Sequence, residues 1–203
     1  MLIRDHDRDD DPDRWRAFLV AQGFGHVAAG GRGRDVPVVV PTQFVVTDDE
    51  IVFHLVATNP LLAALAENPR ALLSVAGDWA FIPGAWKAIG DEDPARGIPT
   101  TYYAAVQVTG DCVVEVDPDE IAATLALQTA AIDPDGTYVD PIEHGAKLRA
   151  IRGIRLAIHE VRAKYKYGAN VDSAHRAAVA DLLARRGGPG DLAALNQLRA
   201  AAR

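Results

Sequence analysis

The segment from Phe53 to Pro60 joins a run of β-type residues to the start of a short helix, and it could do chemistry. Amides in the first turn of a helix lack partners and carry partial positive charge, which favours a bound anion. Thr58 and Asn59 add side-chain donors at this point. The segment predicts a phosphate site. The alternative is that Asn59 is only the helix cap.

Lys164 and Lys166 alternate with Tyr165 and Tyr167 late in the chain. Alternate side chains of a strand point to opposite faces, so the two lysines would share one face and the two tyrosines the other. Arg162 extends the row of cations. The row could contact an anionic ligand. The alternative is a strand with one solvated face.

Aromatic residues form a third candidate group, with Trp79, Phe81 and Trp86 before a polar loop and Tyr102 and Tyr103 after it. Flat side chains suit a flat aromatic ligand, and they serve a core equally well. We expect Trp79 and Phe81 to pack in the core and Trp86 to contact a ligand or an interface. Lys87, beside Trp86, is a candidate anion contact.

Several common catalytic patterns do not occur in the sequence. The six histidines are scattered without HExxH or Cys/His spacing, so a zinc site has no support. No G-x-S-x-G elbow, Walker loop or strand-linked Rossmann glycine pattern is present. Ordinary hydrolase, kinase and dehydrogenase functions are therefore disfavoured. The single cysteine, Cys112, lies in an apolar run and is expected to be a buried core residue.

Composition indicates a globular protein, because 49% of the 203 residues are hydrophobic and 24% are charged. No apolar stretch reaches the ~20 residues of a membrane span, and we expect no membrane contact and a cytoplasmic location. The net charge of −7 gives no global attraction to nucleic acid. DNA binding would need a local basic patch, and the best segment contains Arg176, Arg185, Arg186 and Arg199.

Helix signals occur at five places. A first helix is predicted over residues 12–22, a second begins at the Asn59-Pro60 cap, and a third runs from Asp117 to about residue 131. A fourth is predicted at residues 141–151. The tail beyond Asp172 is Ala- and Arg-rich and helical, with a break at residues 187–190.

Strand signals supply the main body of the fold. Six strands are predicted at residues 25–29, 36–46, 51–57, 71–75, 79–82 and 101–116, and a further strand at 154–158. Pro37 and Pro41 place the second strand at an edge or a bulge. Hairpin-length loops favour an antiparallel barrel. We predict an α+β protein with a six-stranded antiparallel split barrel over residues 12–168, peripheral helices, and a C-terminal helical extension over residues 169–203.

The ordered pieces resemble the PaiB-like negative transcriptional regulators, which are FMN-binding split barrels distantly related to pyridoxamine-phosphate oxidase. The resemblance covers about residues 15–172. It rests on the strand at residues 23–28, the Pro-containing second strand, the turn at 57–60, the region of Trp86, and the segments 98–110, 154–156 and 163–166.

The resemblance implies a homodimer that holds FMN at the subunit interface. It places Thr42 and Gln43 near the isoalloxazine and Thr58 and Asn59 near the phosphate, with Trp86, Lys87, Lys164 and Lys166 closing the site. At two positions this sequence departs from the pattern of that family, and both departures remove polar contacts. Thr58 stands where the family carries a basic residue, and Gly168-Ala169 stands where the family carries Ser-Gln.

Three functions follow from this resemblance. The first is an FMN-dependent oxidoreductase or redox sensor, with deazaflavin or haem as alternative cofactors. The second is a transcriptional regulator that acts through DNA or protein contacts, with flavin structural or absent. The third is a dimeric barrel that has lost its cofactor and acts through protein contacts.

Overall fold

The structure is a computed structural model that describes residues 1–88 and 92–200. The α-helices in these residues are α1 (Pro12–Gln22), α2 (Pro60–Glu67), α3 (Pro118–Ile132), α4 (Ser173–Arg186) and α5 (Asp191–Ala200). Their positions confirm four of the five helix predictions. The helix predicted at residues 141–151 is instead a 3-10 segment, Pro141–Ala150, and it is kinked at Gly145, where φ is 53°.

Side-chain caps explain where three of these helices begin. Asn59 accepts a hydrogen bond from the Leu61 amide at 2.9 Å, which caps α2. Asp117 caps α3 and Asp172 caps α4 in the same way. Helix α4 ends at Gly187, which has a φ of 57° and confirms the predicted break in the tail.

Eight strands lie in the described part of the chain, two more than the predicted barrel. They are β1 (Phe24–Ala29), β2 (Val38–Gln43), β3 (Val45–Val46), β4 (Glu50–Val56), β5 (Arg70–Ile82), β6 (Thr100–Glu115), β7 (Ile151–Ala157) and β8 (Glu160–Lys166). The predicted strand at residues 36–46 is divided at Phe44, while the two predicted between residues 71 and 82 are one continuous strand.

The strands are hydrogen-bonded in the order β2-β1-β5-β6-β7-β4-β3, and β8 pairs with β6. The pairings with a determined register are antiparallel. Strand β2 lies at one end of this order, which confirms the edge position that its prolines predicted. An edge strand tolerates Pro41 because the missing amide costs no ladder hydrogen bond.

The chain forms two compact units. The sheet unit comprises Pro12–Val75 and Gln107–Arg162, and the tail unit comprises Met1–Asp11, Ala76–Val106 and Ala163–Arg203. Within the sheet unit, apolar side chains from β4, β5 and β7 are fully buried, among them Phe53, Leu73 and Leu156. Cys112 is buried as predicted, and burial raises the pKa of its thiol to about 12.

Strand β5 contains a break in its inward-outward alternation. Side chains are buried at every second residue from Ala71 to Gly77, and then at Ala80 and Ile82. The extra residue is Asp78, whose φ of 51° is left-handed. This pattern indicates a β-bulge, which moves the following side chains to the opposite face.

The bulge overturns one expectation about the aromatic group. Trp79 and Phe81 were expected in the core, yet they are 60% and 51% exposed. If the strand continued through Asp78 without a bulge, the alternation from Ala71 would have buried both rings. Tyr102 is buried, with 1% exposure, and Tyr103 is half-buried.

Across the described residues, no helix is both long enough and apolar enough to cross a membrane. Within the same residues, no group of three or more His, Cys, Asp and Glu side chains is arranged to hold a metal ion.

Candidate cofactor site

A cavity of about 490 Å³ opens in the sheet unit. Its volume lies in the range of roughly 300–1,000 Å³ that is typical of ligand and cofactor pockets. The lining residues are Phe24, Val40, Pro41, Thr42, Gln43, His54, Leu55, Val56, Asn59, Gln128 and Ile151. The cavity therefore combines apolar walls with a small number of hydrogen-bonding groups.

Thr42 and Gln43 reach the cavity from the end of β2. Their partners across the ladder are Gly25 and Phe24 of β1. Thr42 is buried and donates from its hydroxyl to the Gln43 carbonyl at 3.1 Å, whereas the Gln43 side chain is exposed. Gln43 is thus the more available of the two for a ligand.

Asn59 lines the cavity from the start of α2, and Thr58 beside it is exposed. The Asn59 side-chain oxygen is taken by the Leu61 amide, and the Leu62 amide donates to the Asn59 carbonyl at 3.1 Å. Pro60 has no amide hydrogen. The first-turn amides that were expected to bind phosphate therefore have partners at Leu61 and Leu62, which leaves the Asn59 NH₂ and the Thr58 hydroxyl as donors.

Two further polar residues line the cavity, and the sequence argument missed both. His54 projects from β4, and its Nδ1 lies 2.7 Å from Oε1 of Gln128 on α3. His54 is exposed, while Gln128 is only 5% exposed. The sequence of α3 did contain an indication of polar residues on the buried face. Thr124 and Gln128 are polar, lie four residues apart on one helix face, and are both buried.

Lys164 and Lys166 lie in the tail unit, on one face of β8. Their Nζ atoms lie 5.4 Å and 5.9 Å from the ring centroid of Tyr103. Tyr165 and Tyr167 are both buried. The predicted separation of lysines from tyrosines is therefore confirmed.

The two lysines differ in their contacts. Lys164 is buried; its Nζ donates to the Leu2 carbonyl at 3.1 Å and lies 3.9 Å from the Asp7 carboxylate. Lys166 is half-buried and donates to the Thr100 hydroxyl at 2.7 Å. Lys164 thus anchors the N-terminal segment, and Lys166 is the better placed of the pair to contact an anion.

Lys87 extends the group of cations in the tail unit. Burial lowers its pKa, and the positive charge of Lys166 lowers that pKa further. Burial and then the charge of Lys87 lower the pKa of His175, while Asp172 opposes the shift. Like charges gathered in this way favour an anionic ligand, because such a ligand would relieve their repulsion.

Trp86 has a contact that the sequence did not predict. The guanidinium of Arg186 on α4 lies 4.7 Å from its ring centroid. Trp86 itself is half-buried. The Arg186 guanidinium therefore occupies the space over the ring where a ligand or an interface was expected.

Gly168 explains one of the two departures from the family pattern. Its φ is 74°, and a Cβ added there would lie 2.3 Å from the Tyr102 hydroxyl. The serine that the resemblance predicts at this position would therefore be strained and would clash with Tyr102.

Solved structures share this fold. A FAD- and haem-binding protein from Mycobacterium smegmatis aligns with a TM-score of 0.64 at 21% identity, over 85% of this chain and 79% of its own. A flavocytochrome from Azotobacter vinelandii aligns with a TM-score of 0.61 at 22% identity, over 84% and 74%. A putative 5-nitroimidazole antibiotic resistance protein from Bacteroides thetaiotaomicron gives 0.60 at 14% identity, over 77% and 85%.

These similarities define the class: the chain is a mixed α+β protein with the split-barrel fold. The sequence profile of one family, described as "Putative FMN-binding domain", matches residues 1–160. The chain therefore belongs to this family. The comparison with curated proteins finds no match.

Proposed function

We propose that this protein binds FMN and acts as a flavin-dependent oxidoreductase or redox sensor of the PaiB-like kind. The observation that carries the proposal is the 490 Å³ cavity in a chain of the FMN-binding family. Three residues that the resemblance assigned to flavin, Thr42, Gln43 and Asn59, line that cavity. Bound FMN would supply the electron chemistry, and the chain would supply orientation and electrostatics.

The cavity suits the flat, uncharged part of such a cofactor. Val40, Pro41 and Val56 provide apolar surface, and Gln43 provides an amide for hydrogen bonds to a ring edge. The Asn59 NH₂ is a neutral donor for a phosphate oxygen. These residues fit the ring system better than they fit the charged phosphate.

The phosphate charge calls for cations, and the described residues that line the cavity include no Lys or Arg. Thr58 replaces the basic residue of the family at this turn. The resemblance assigns Lys166 and Lys87 to the cofactor, and within the tail unit an anion would relieve the mutual repulsion of these two lysines. Lys164 contributes less, because Asp7 and the Leu2 carbonyl already engage its ammonium group.

We also propose that the protein is a homodimer with flavin at the subunit interface. On β2, β1 and β5, the side chains of Val39, Ala28 and Leu72 form one cross-strand row, and Val39 is 51% exposed. Phe24, on β1, is 56% exposed. A second copy would bury this apolar surface.

A cytoplasmic location fits the buried thiol of Cys112, which has no second cysteine in the chain to pair with. The regulator alternative depends on free cations in the tail. Arg176 donates to the Leu198 carbonyl, Arg185 to the Asp181 carbonyl, and Arg186 to Asp191. These contacts favour a structural role for the tail arginines over DNA binding.

The deciding experiment is an absorbance spectrum of the purified protein, repeated after adding FMN and removing the excess by gel filtration. We expect flavin bands at near one FMN per chain. A protein that stays colourless would overturn FMN binding, and deazaflavin and haem would then be tested in the same way. Retained FMN that no electron donor can reduce would overturn the redox role.

A further inference from the structure

A second, smaller cavity adjoins the candidate cofactor site. It has a volume of about 160 Å³ and is lined by Gln43, His54, Leu125, Gln128, Thr129, Ile132, Asp133 and Tyr138. Gln43, His54 and Gln128 line both cavities. A ligand in the smaller cavity would therefore share these three side chains with a cofactor in the larger one.

The size of the smaller cavity limits its ligand to about one ring. A protein cavity of about 150 Å³ accommodates benzene. Leu125 and Ile132 provide apolar wall, which suits the faces of a ring. A nucleotide is too large for this space.

His54 provides a directed hydrogen bond. Its Nδ1 faces the Gln128 side-chain oxygen at 2.7 Å, and an amide oxygen only accepts, so Nδ1 carries the hydrogen. In the neutral ring Nε2 then carries a lone pair and accepts from a ligand N–H. Gln128 is buried, so it holds the imidazole in one orientation. The exposed amide of Gln43 can donate to a ligand carbonyl.

The charge of the lining excludes anions. Tyr138 donates its hydroxyl to Asp133 at 2.5 Å, and this hydrogen bond raises the pKa of the phenol, which therefore stays neutral. Asp133 contributes a negative charge, and the described residues that line the smaller cavity include no Lys or Arg. An anionic ring would meet a like charge without a counter-ion.

We propose that the smaller cavity is a substrate compartment for a neutral single-ring carboxamide. The ligand amide donates to His54 Nε2, its carbonyl accepts from Gln43, and Leu125 and Ile132 contact its ring. The role as substrate compartment rests on the proposed function, because it assumes that flavin occupies the larger cavity. The binding chemistry itself does not need flavin.

Nicotinamide is the probe for this compartment, and benzoate is its anionic counterpart of matched size. We expect NMR titration of the FMN-free chain with nicotinamide to shift the resonances of His54 and of residues 125–133. Benzoate should bind about tenfold more weakly or worse. Shifts confined to other residues, or equal affinity for the two compounds, would overturn the proposal.

Substitutions test the two assigned contacts. His54→Leu and Gln43→Ala should each weaken nicotinamide binding about tenfold, and Asp133→Asn should bring benzoate to within about threefold of nicotinamide. The control is Asp135→Asn, an exposed position that lines neither cavity. Unchanged nicotinamide affinity in both His54→Leu and Gln43→Ala would overturn the proposal. If the His54→Leu variant does not fold, the affinity of the Gln43→Ala variant alone is the test.

The two proposals can fail separately. A chain that binds nicotinamide at these residues but retains no FMN would support the carboxamide site itself and overturn the cofactor assignment, and with it the role as a substrate compartment. A chain that retains FMN but shows no nicotinamide shifts near His54 would overturn the compartment alone.

Discussion

Helix capping and cofactor binding would use different atoms of the Asn59 side chain. A substitution can therefore remove one role and keep the other. The side-chain oxygen of Asn59 caps α2, and the NH₂ is the donor left for a ligand. Asn59→Asp keeps a capping oxygen and removes the NH₂ donor. We expect the free energy of unfolding to change by less than about 0.5 kcal/mol and the FMN affinity to fall roughly tenfold or more. Urea denaturation and FMN fluorescence titration measure the two quantities.

Asn59→Ala is the matched variant for this residue, because it removes the cap and the donor together. We expect it to cost about 1 kcal/mol of stability and to lower FMN affinity as well. If Asn59→Asp binds FMN as tightly as the unchanged chain, Asn59 is a helix cap and nothing more.

Lys164 and Lys166 have different partners, and substitution with methionine should therefore have different effects. Lys166→Met removes a cation whose contact is the neutral Thr100 hydroxyl, and we expect a roughly ten- to hundredfold loss of FMN affinity with little change in stability. Lys164→Met leaves the buried Asp7 carboxylate without this cation, and we expect a loss on the order of 2 kcal/mol of stability.

The same denaturation and titration experiments distinguish the lysines. Equal effects of Lys164→Met and Lys166→Met on FMN affinity would contradict the division of roles and would favour a shared anion contact. Each variant is the control for the other, since both remove one charge from the same face of β8.

At the scale of elements, strand β5 depends on the bulge at Asp78. Its left-handed φ is costly for a β-branched residue, so Asp78→Val should lower stability by about 1–3 kcal/mol. Asp78→Asn is the control, because asparagine tolerates this conformation and keeps an oxygen that can accept from Gln197. Thermal unfolding measures the difference, and equal stability of the two variants would contradict a strained bulge.

The bulge also shows which parts of the fold the sequence could predict. Capping and proline signals act within a few residues, and α1, α2 and α3 were predicted from them, while the tail helices were predicted from an Ala- and Arg-rich composition. The bulge was not predicted, because its supporting contacts come from Tyr167 and Gln197, which lie about 90 and 119 residues away. Trp79 and Phe81 were therefore wrongly expected in the core.

For the candidate site, too, local sequence patterns predicted the residues in short segments and missed the contacts between distant parts of the chain. Thr42, Gln43 and Asn59 were predicted from a resemblance in local segments, and they line one cavity. His54 and Gln128 were not predicted as a pair, because they lie 74 residues apart in the chain. The role of Lys164 depends on Asp7, from a segment that local patterns do not connect with β8.

The junction of α4 and α5 should respond to acid. Two hydrogen bonds from Arg186, helped by one from the Gly188 amide, hold the pKa of the buried Asp191 carboxyl below its ordinary value. A lowered pKa contributes stability that is fully present above the unfolded value of about 3.9 and is lost as pH falls through the folded value. We expect the α4–α5 junction to loosen below about pH 4.

Trp86 reports on this junction, because the Arg186 guanidinium lies against its ring. We expect its fluorescence to change as the pH falls below about 4, and Asp191→Asn should show the altered signal already at neutral pH. A fluorescence titration that is identical in the Asp191→Asn variant would show that another carboxyl controls the junction.

For the whole molecule, dimerisation is the property on which the proposed cofactor site depends. Val39 occupies an exposed position in the row with Ala28 and Leu72, so Val39→Lys would place a charge in the proposed interface. Burying an unpaired charge is costly, and we expect a shift from dimer to monomer in light scattering. Val36→Lys is the control, because Val36 is 73% exposed and lies before β2.

FMN retention by the same two variants tests the interface site itself. If flavin contacts both subunits, Val39→Lys should lose FMN together with the dimer, whereas Val36→Lys should keep both. A monomeric Val39→Lys variant that still retains one FMN per chain would show that a single copy suffices for binding. In that case the sheet-unit cavity would hold the cofactor without a partner, and the apolar row would serve assembly alone.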